Sequence, residues 1–212
     1  MVSLLPLFPL PNVVLFPGAL LPLHIFEPRY RDMVADALDA DRRLVMVLLR
    51  PGWEADYEGR PAIYPVSCSG VIIHDEKLDD GRYNIVLRGL DRIRVVSEDH
   101  GRAYRRAAIE LWPDAALDHG DRIAVRDLRG RLDTMLGLSA PSSSAAPHRA
   151  MLASMPDEDL VHALAQSLDL EPVEKQALLE RDNLRLRAEM LVELLEMRKL
   201  LANLPRGGNQ PH

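Results

Sequence analysis

The single cysteine, Cys68, lies between Ser67 and Ser69 and just before Gly70. A nucleophile here needs a neighbour that stabilises a thiolate or accepts a hydroxyl proton. The nearest downstream histidine, His74, shares strand parity with Cys68 but lies about 20 Å along an extended chain. The serines lack the G-x-S-x-G setting of a nucleophile elbow. A small, buried, apolar role for Cys68 follows. His74-Asp75-Glu76 places three metal-ligating types together, yet adjacent strand residues face opposite sides and cannot converge. A solvated hairpin end explains them. The histidines show no H-x-x-x-H or H-E-x-x-H spacing, so no metal is expected. Asp157-Glu158-Asp159 read as first-turn acids favoured by the helix dipole, not as an acid/base pair.

Phosphate chemistry is equally poorly supplied. The only lysines are Lys77, Lys175 and Lys199, and none follows a glycine. Neither G-x-x-x-x-G-K-[ST] nor G-x-G-x-x-G occurs, so no nucleotide or other cofactor is expected. Arg92 and Arg94 share one strand face and Arg102 and Arg106 another. Such a face binds single-stranded nucleic acid when aromatic rings interleave, but only Tyr83 and Tyr104 are near. Ion pairing with an acidic helical half accounts for the same arginines, and nucleic acid is disfavoured as a partner. The most suggestive cluster is Trp53, Tyr57 and Tyr64, three aromatics within twelve residues of a Gly-, Pro- and charge-rich loop. Loop aromatics anchor partners at low entropic cost; the alternative is that they tuck the loop onto the body.

The elements that position these residues follow from periodicity and turn chemistry. Leu4–Pro9 and Leu20–Phe26 are strand candidates around a Pro17-Gly18 turn. Glu27-Pro28 opens a helix whose stripe is Tyr30, Met33, Val34, Ala37 and Leu38. Leu44–Leu49 is a buried strand, and Arg50–Pro65 a long loop. Ser69–His74 and Arg82–Leu87 flank the hairpin signal Asp79-Asp80-Gly81, and Leu90–Ser97 and Arg102–Leu111 are two further strands. After Trp112-Pro113 the pattern turns helical. Asp121–Leu136, with Ile123, Leu128, Leu132, Met135 and Leu136 as its stripe, ends at Gly137. Ser139–Pro147 is a polar linker. Ser154 and Asp157 form a capping box for a helix through Leu168. A short helix begins near Pro172, and Asp182 caps a last one from Asn183 to Leu201. Residues 205–212 are a flexible tail.

At 212 residues the chain holds one domain or two small ones at roughly 150 residues each. One cysteine excludes an intramolecular disulfide and fits a reducing compartment. The apolar N-terminus lacks a positive n-region and is broken by Pro6, Pro9, Pro11, Pro17 and Pro22, so it reads as neither signal peptide nor membrane span. A cytoplasmic location is expected. The net charge of -6 conceals two poles. Residues 82–106 carry seven arginines against three acids, and residues 150–200 eleven acids against six bases.

The segment LPLFPLPNVVLFPGALLPLHIFEPRYRDMV resembles the opening of the N-terminal domain of the Lon ATP-dependent proteases. Gly70-Val71-Ile72, then Asn84-Ile85-Val86-Leu87-Arg88-Gly89-Leu90-Asp91-Arg92-Ile93-Arg94-Val95, resembles its middle strands. Leu160–Leu168 with Leu170, Glu174 to Gln176 and Leu178 to Glu180 resembles its helical end, and Arg185 to Leu195 its last helix. The resemblance implies an α+β fold, a PUA-like β pseudo-barrel over residues 1–118 followed by a helical subdomain over 119–204. It also implies a bacterial-type, non-catalytic module that holds unfolded or flexible polypeptide, without the ATPase and protease domains of full Lon proteases. Trp53, Tyr57 and Tyr64 are the candidate contact residues. RNA binding, known for some PUA-like folds, is the alternative, and the long last helix leaves self-association open.

Overall fold

The computed structural model describes residues 4–57, 59–137 and 146–203. Six strands and one helix come first: β1 (Leu4–Leu10), β2 (Leu20–Ile25), α1 (Pro28–Leu38), β3 (Arg43–Leu48), β4 (Val66–Lys77), β5 (Tyr83–Asp99) and β6 (Arg106–Leu111). Five helices follow: α2 (His119–Leu136), α3 (Ala146–Ser154), α4 (Asp157–Ser167), α5 (Pro172–Leu179) and α6 (Leu184–Asn203). The fold class is α+β.

The sheet runs β2-β5-β4-β3-β1-β6, and β5 also pairs with β6, closing a ring of five strands with β2 attached outside it. One strand serves both purposes. The first third of β5 pairs with β2, from Tyr83↔Ile25 to Arg88↔Leu20. Its later residues pair with β6, from Ile93↔Leu111 to Asp99↔Arg106. β1 lies parallel to β3 and antiparallel to β6, so the Pro17-Gly18 turn joins two strands that do not pair with each other. Gly18 has a positive φ of 75° there, the conformation glycine adopts without strain.

Alternation places Val45 and Val47 of β3 with Leu5, Leu7 and Ile93 in one cluster. Leu44 and Met46 turn to the opposite face, where Tyr30, Met33, Val34 and Ala37 of α1 pack on Ile72, Ile85 and Leu87. A third cluster joins the two halves of the chain. Leu128 and Leu132 of α2, Leu160 and Leu164 of α4, and Leu191 of α6 pack with Val14, Phe16, Leu48 and Val66.

Several sequence expectations are corrected. Gly89 does not divide β5, because its hydrogen bond to Ala19 O (2.9 Å) and the absence of a Cβ allow the Phe16 carbonyl to approach. β6 starts at Arg106, not Arg102. Ser154 does not open α4; it closes α3, its hydroxyl donating to Met151 O at 2.8 Å. The N-cap of α4 is Pro156, with no side-chain cap. α6 is capped by Asn183, whose Oδ1 accepts from Leu186 N at 2.9 Å, rather than by Asp182. On α2 the core face uses Val125, while Ile123 is exposed. The expected linker overlaps α3 at Ala146 and Pro147, and its remainder and the tail lie outside the described residues.

Candidate functional site

The loop that carries the aromatic cluster is fixed by the entry to α1. Pro28 occupies the first turn, and Glu27 is an extended N-cap (φ −65°, ψ 133°) whose carboxylate makes no capping bond. That carboxylate instead accepts from Tyr57 Oη at 2.7 Å and from Arg29 Nε at 3.1 Å. The Arg29 guanidinium lies over both the Tyr30 ring, at 4.7 Å, and the Tyr57 ring, at 5.1 Å. Gly52, at φ 89°, turns the chain into a short 3₁₀ segment, Trp53–Asp56. This delivers the Trp53 ring edge-on to Tyr57 at 5.5 Å. Trp53 and Tyr57 are thus one unit. Tyr64 is not part of it: it packs against the helical-side cluster, under the guanidinium of Arg50 at 5.3 Å.

Beside Tyr57 opens a cleft of about 230 Å³ with Pro9 and Leu49 in its lining. Tyr30, Tyr57 and Tyr104, with Arg29, Arg60 and Arg105, form most of its wall. The far end of the loop is held by Arg105, which donates from Nη1 to Pro61 O at 2.8 Å and grips Glu98 from Nε (2.8 Å) and Nη2 (2.5 Å). Arg60 faces the same carboxylate at 3.5 Å. Burial alone would raise the Glu98 pKa, but the hydrogen bond and charge of Arg105, with Arg60 behind, hold it below the usual carboxylate range. Burial pushes the phenols of Tyr30 and Tyr57 up, and the bond to Glu27 pushes Tyr57 further. Burial also opposes the charge of Arg29, but Tyr30, Glu27 and Tyr57 outweigh it and keep its pKa raised. The wall is therefore cationic and aromatic, and it holds no nucleophile paired with a base.

The other chemistry-bearing residues are placed elsewhere. Cys68 is fully buried, and burial pushes its thiol up, away from the thiolate form. Asp75 pairs with Arg42 at 2.5 Å, and Glu76 accepts from Asn84 at 2.8 Å. No group of three His, Cys, Asp or Glu able to hold a metal occurs among the described residues. The four arginines weighed for nucleic acid have protein neighbours. Arg92 pairs with Asp114 and Arg106 with Asp99, Arg102 lies 3.2 Å from Asp36, and Arg94 stacks on Trp112 at 3.7 Å.

Sequence reasoning placed the change from strands to helices but missed the depressions where the two halves meet. A depression of about 560 Å³ lies between Pro17, Ala19 and Leu90 on one side and Met155, Asp159 and Ala163 on the other. Next to it, one of about 240 Å³ reaches Trp112 and His162. Their walls bring together residues as far apart in sequence as Pro17 and His162, and no local pattern announces them.

Residues 4–197 match the family of the ATP-dependent protease La (LON) substrate-binding domain. Lon protease 2 of Myxococcus xanthus is 27% identical over 204 residues, which is 95% of this chain and 24% of that protein. Lon protease 2 of Sorangium cellulosum is 32% identical over 138 residues, 61% of this chain and 17% of that protein. The chain thus spans about a quarter or less of the length of these relatives. The N-terminal domain of Mycobacterium avium complex Lon protease superposes with a TM-score of 0.73 at 15% identity, covering 92% of this chain and 98% of that one. A Lon N-terminal domain protein from Xanthomonas campestris gives 0.56 at 24% identity, covering 96% and 99%. At such identities the likeness is one of fold, and it agrees with the family match in both extent and architecture. The chain belongs to the LON substrate-binding domain family.

Proposed function

We propose that the chain acts as a non-catalytic module that binds unfolded or flexible polypeptide. The observation that carries this reading is the family match over residues 4–197, a family described by substrate binding. In this reading residues 1–118 form a PUA-like pseudo-barrel, 119–204 a helical subdomain, and 205–212 a tail. The location is cytoplasmic, in keeping with the lone cysteine; no helix among the described residues is long and apolar enough to cross a membrane. The Trp53–Tyr57 unit and its cleft are the proposed contact surface. A half-buried indole held edge-on to a tyrosine offers apolar area whose ordering cost is met before binding. Tyr64 contributes by seating the loop rather than by touching a partner.

The test is titration of the purified chain with a reduced, iodoacetamide-capped unfolded protein, followed by fluorescence anisotropy. Saturable binding below about 100 μM supports the reading, and its absence overturns it. Trp53→Ala then tests the surface: it weakens binding if the loop is the contact, and leaves it unchanged if the contact lies elsewhere.

A further inference from the structure

The ring of five strands leaves β2 outside it, bonded to β5 on one side and, among the described strands, to nothing on the other. Two observations fix which of its backbone groups face outward. Gly89 N donates to Ala19 O at 2.9 Å. The next pair, Leu20↔Arg88, is therefore of the kind that exchanges no bonds, and the two kinds alternate from there. Pro22 opposite Val86 falls in that same kind of pair, where a residue without an N–H leaves the ladder to β5 intact. The N–H and C=O of Leu20 and His24, and the C=O of Pro22, thus point away from β5. This edge is also apolar. β2 carries no Asp, Glu, Lys or Arg, and Leu20 on it and Phe26 just beyond it are exposed. The opposite edge of this outer layer, the end of β4, is defended differently. Arg42 bonds both backbone groups of Ile72, accepting from its N and donating to its O at 2.9 Å each, and the charged Asp75-Glu76-Lys77 follow.

We propose that the outer edge of β2 is self-complementary, fits a second copy of this chain, and is held shut by Pro22. Leu20 and His24 are equidistant from Pro22 along the strand. Two such edges meeting antiparallel about a two-fold axis bring residue 22 opposite itself and Leu20 opposite His24 of the second copy. Each facing pair then exchanges N–H···O bonds in both directions. Proline removes the donors on the axis, and its ring occupies the space that the facing backbone would enter. The ladder is interrupted at its centre, and the pairs on either side of the axis are left isolated. Nothing else on β2 opposes pairing, so this one residue carries the protection that charge supplies at the end of β4. The proposal does not depend on the polypeptide-binding reading.

Sedimentation velocity and amide exchange test it on the full chain. In the wild type, the Leu20 and His24 amides exchange at rates that do not change with protein concentration, while those of Leu21, Leu23 and Ile25, bonded to β5, are protected. Pro22→Val restores the missing donors and self-associates about tenfold or more tightly than the wild type. Its Leu20 and His24 amides slow as concentration rises. Pro22→Val/Leu20→Lys returns to wild-type behaviour, since an edge lysine opposes pairing. Pro22→Ala is run in parallel, so that a folding defect of the valine variant, seen as lost protection at Leu21 and Leu23, does not decide the result. A folded Pro22 variant that sediments like the wild type overturns the proposal. So does concentration-dependent protection of Leu20 and His24 in the wild type, which would show the edge already in use. Tighter binding of a capped unfolded protein by Pro22→Val without self-association also overturns it, and assigns the edge to extended polypeptide instead.

Discussion

Arg187 of α6 grips Asp114, in the connection between β6 and α2, through two hydrogen bonds of 2.9 Å, Nη1 to Oδ2 and Nη2 to Oδ1. The guanidinium is fully buried. It also donates to Leu178 O and Arg181 O, both at 3.2 Å, so it holds the turn between α5 and α6. Arg92 of β5 reaches the same carboxylate from the other side. A single aspartate is thus shared by one cation from the strands and one from the last helix.

Removing that aspartate is expected to be worse than removing either arginine. Asp114→Asn leaves two buried guanidinium groups without the carboxylate they share, with only the charge of Asp182 still acting on Arg92. Breaking a buried pair costs about 3–5 kcal/mol, and the quarter exposure of Asp114 places it near the low end. Arg187→Met fills similar volume and leaves Asp114 paired with Arg92, so its loss is smaller. Urea unfolding of the two variants checks the order, and a more stable Asp114→Asn would contradict it.

His162 makes the same junction sensitive to acid. Its Nε2 faces Arg187 Nη1 at 3.0 Å; because Arg187 can only donate, the imidazole proton sits on Nδ1. Burial, then the charge of Arg187, lowers its pKa from 6.5 to about 4. The folded-state value is depressed, so the unfolded chain takes up the proton first. This stability is complete above about pH 6.5 and is lost as pH falls toward 4, amounting to on the order of 3 kcal/mol. His162→Gln should flatten the slope in that window. Denaturation midpoints of both proteins between pH 7 and 4 decide it, and parallel curves would remove His162 as the cause.

The loop unit depends on one carboxylate. Tyr57→Phe deletes a single hydrogen bond to Glu27, and Glu27→Gln also removes the charge that faces Arg29. Hydrogen bonds to charged groups are worth about 1.5–3 kcal/mol, so both changes loosen residues 53–57 while the sheet persists. Amide exchange should quicken in the loop, more in Glu27→Gln, with β3 and β4 unchanged. Unaltered loop exchange in both variants would show that the ring contacts alone hold it.

Gly89 is required for contact distance rather than for its torsion angles. An added Cβ would lie 2.1 Å from the carbonyl oxygen of Phe16, a backbone atom with no rotamer to change. Gly89→Ala should cost about 1–3 kcal/mol, toward the upper limit. A thermal melt suffices, and a wild-type midpoint would mean that the 16–19 turn gives way freely.

What the sequence made readable was local. Pro28 at a helix start, the stripe from Tyr30 to Ala37, and Asp79-Asp80-Gly81 each state their geometry within a few residues, and each stands in the structure. The misreadings share a cause. Arg82–Leu87 and Leu90–Ser97 read as two strands rather than one, because what Gly89 accommodates between them, the Phe16 carbonyl, is seventy-three positions away. Ser154 with Asp157 fits a capping pattern, yet the same hydroxyl satisfies Met151 O instead. Ile123 fits a helical period, but the face of α2 that meets α6 is decided by packing and selects Val125. The aromatic loop was visible from composition, while its cleft was not, because Arg29, Arg60 and Arg105 converge only when α1, the loop and the residue just before β6 are assembled. Ion pairing of the arginine-rich strands was anticipated as charge balance between halves. The acids that pair with them prove to be Asp36, Glu98, Asp99 and Asp114, none of them in the acidic helical half.

The pairing of β1 has a consequence for synthesis. Leu5 opposes Ala107, so β1 leaves the ribosome about 100 residues before the strand that covers its β6 edge. At roughly 5–20 residues per second, that interval lasts about 5–20 s. Throughout it, that strand edge of the nascent chain stays unpaired, and Pro9, on the same edge as Leu7, whose N–H goes to Arg105 O, presents no N–H and makes the edge a poorer template for pairing with other chains.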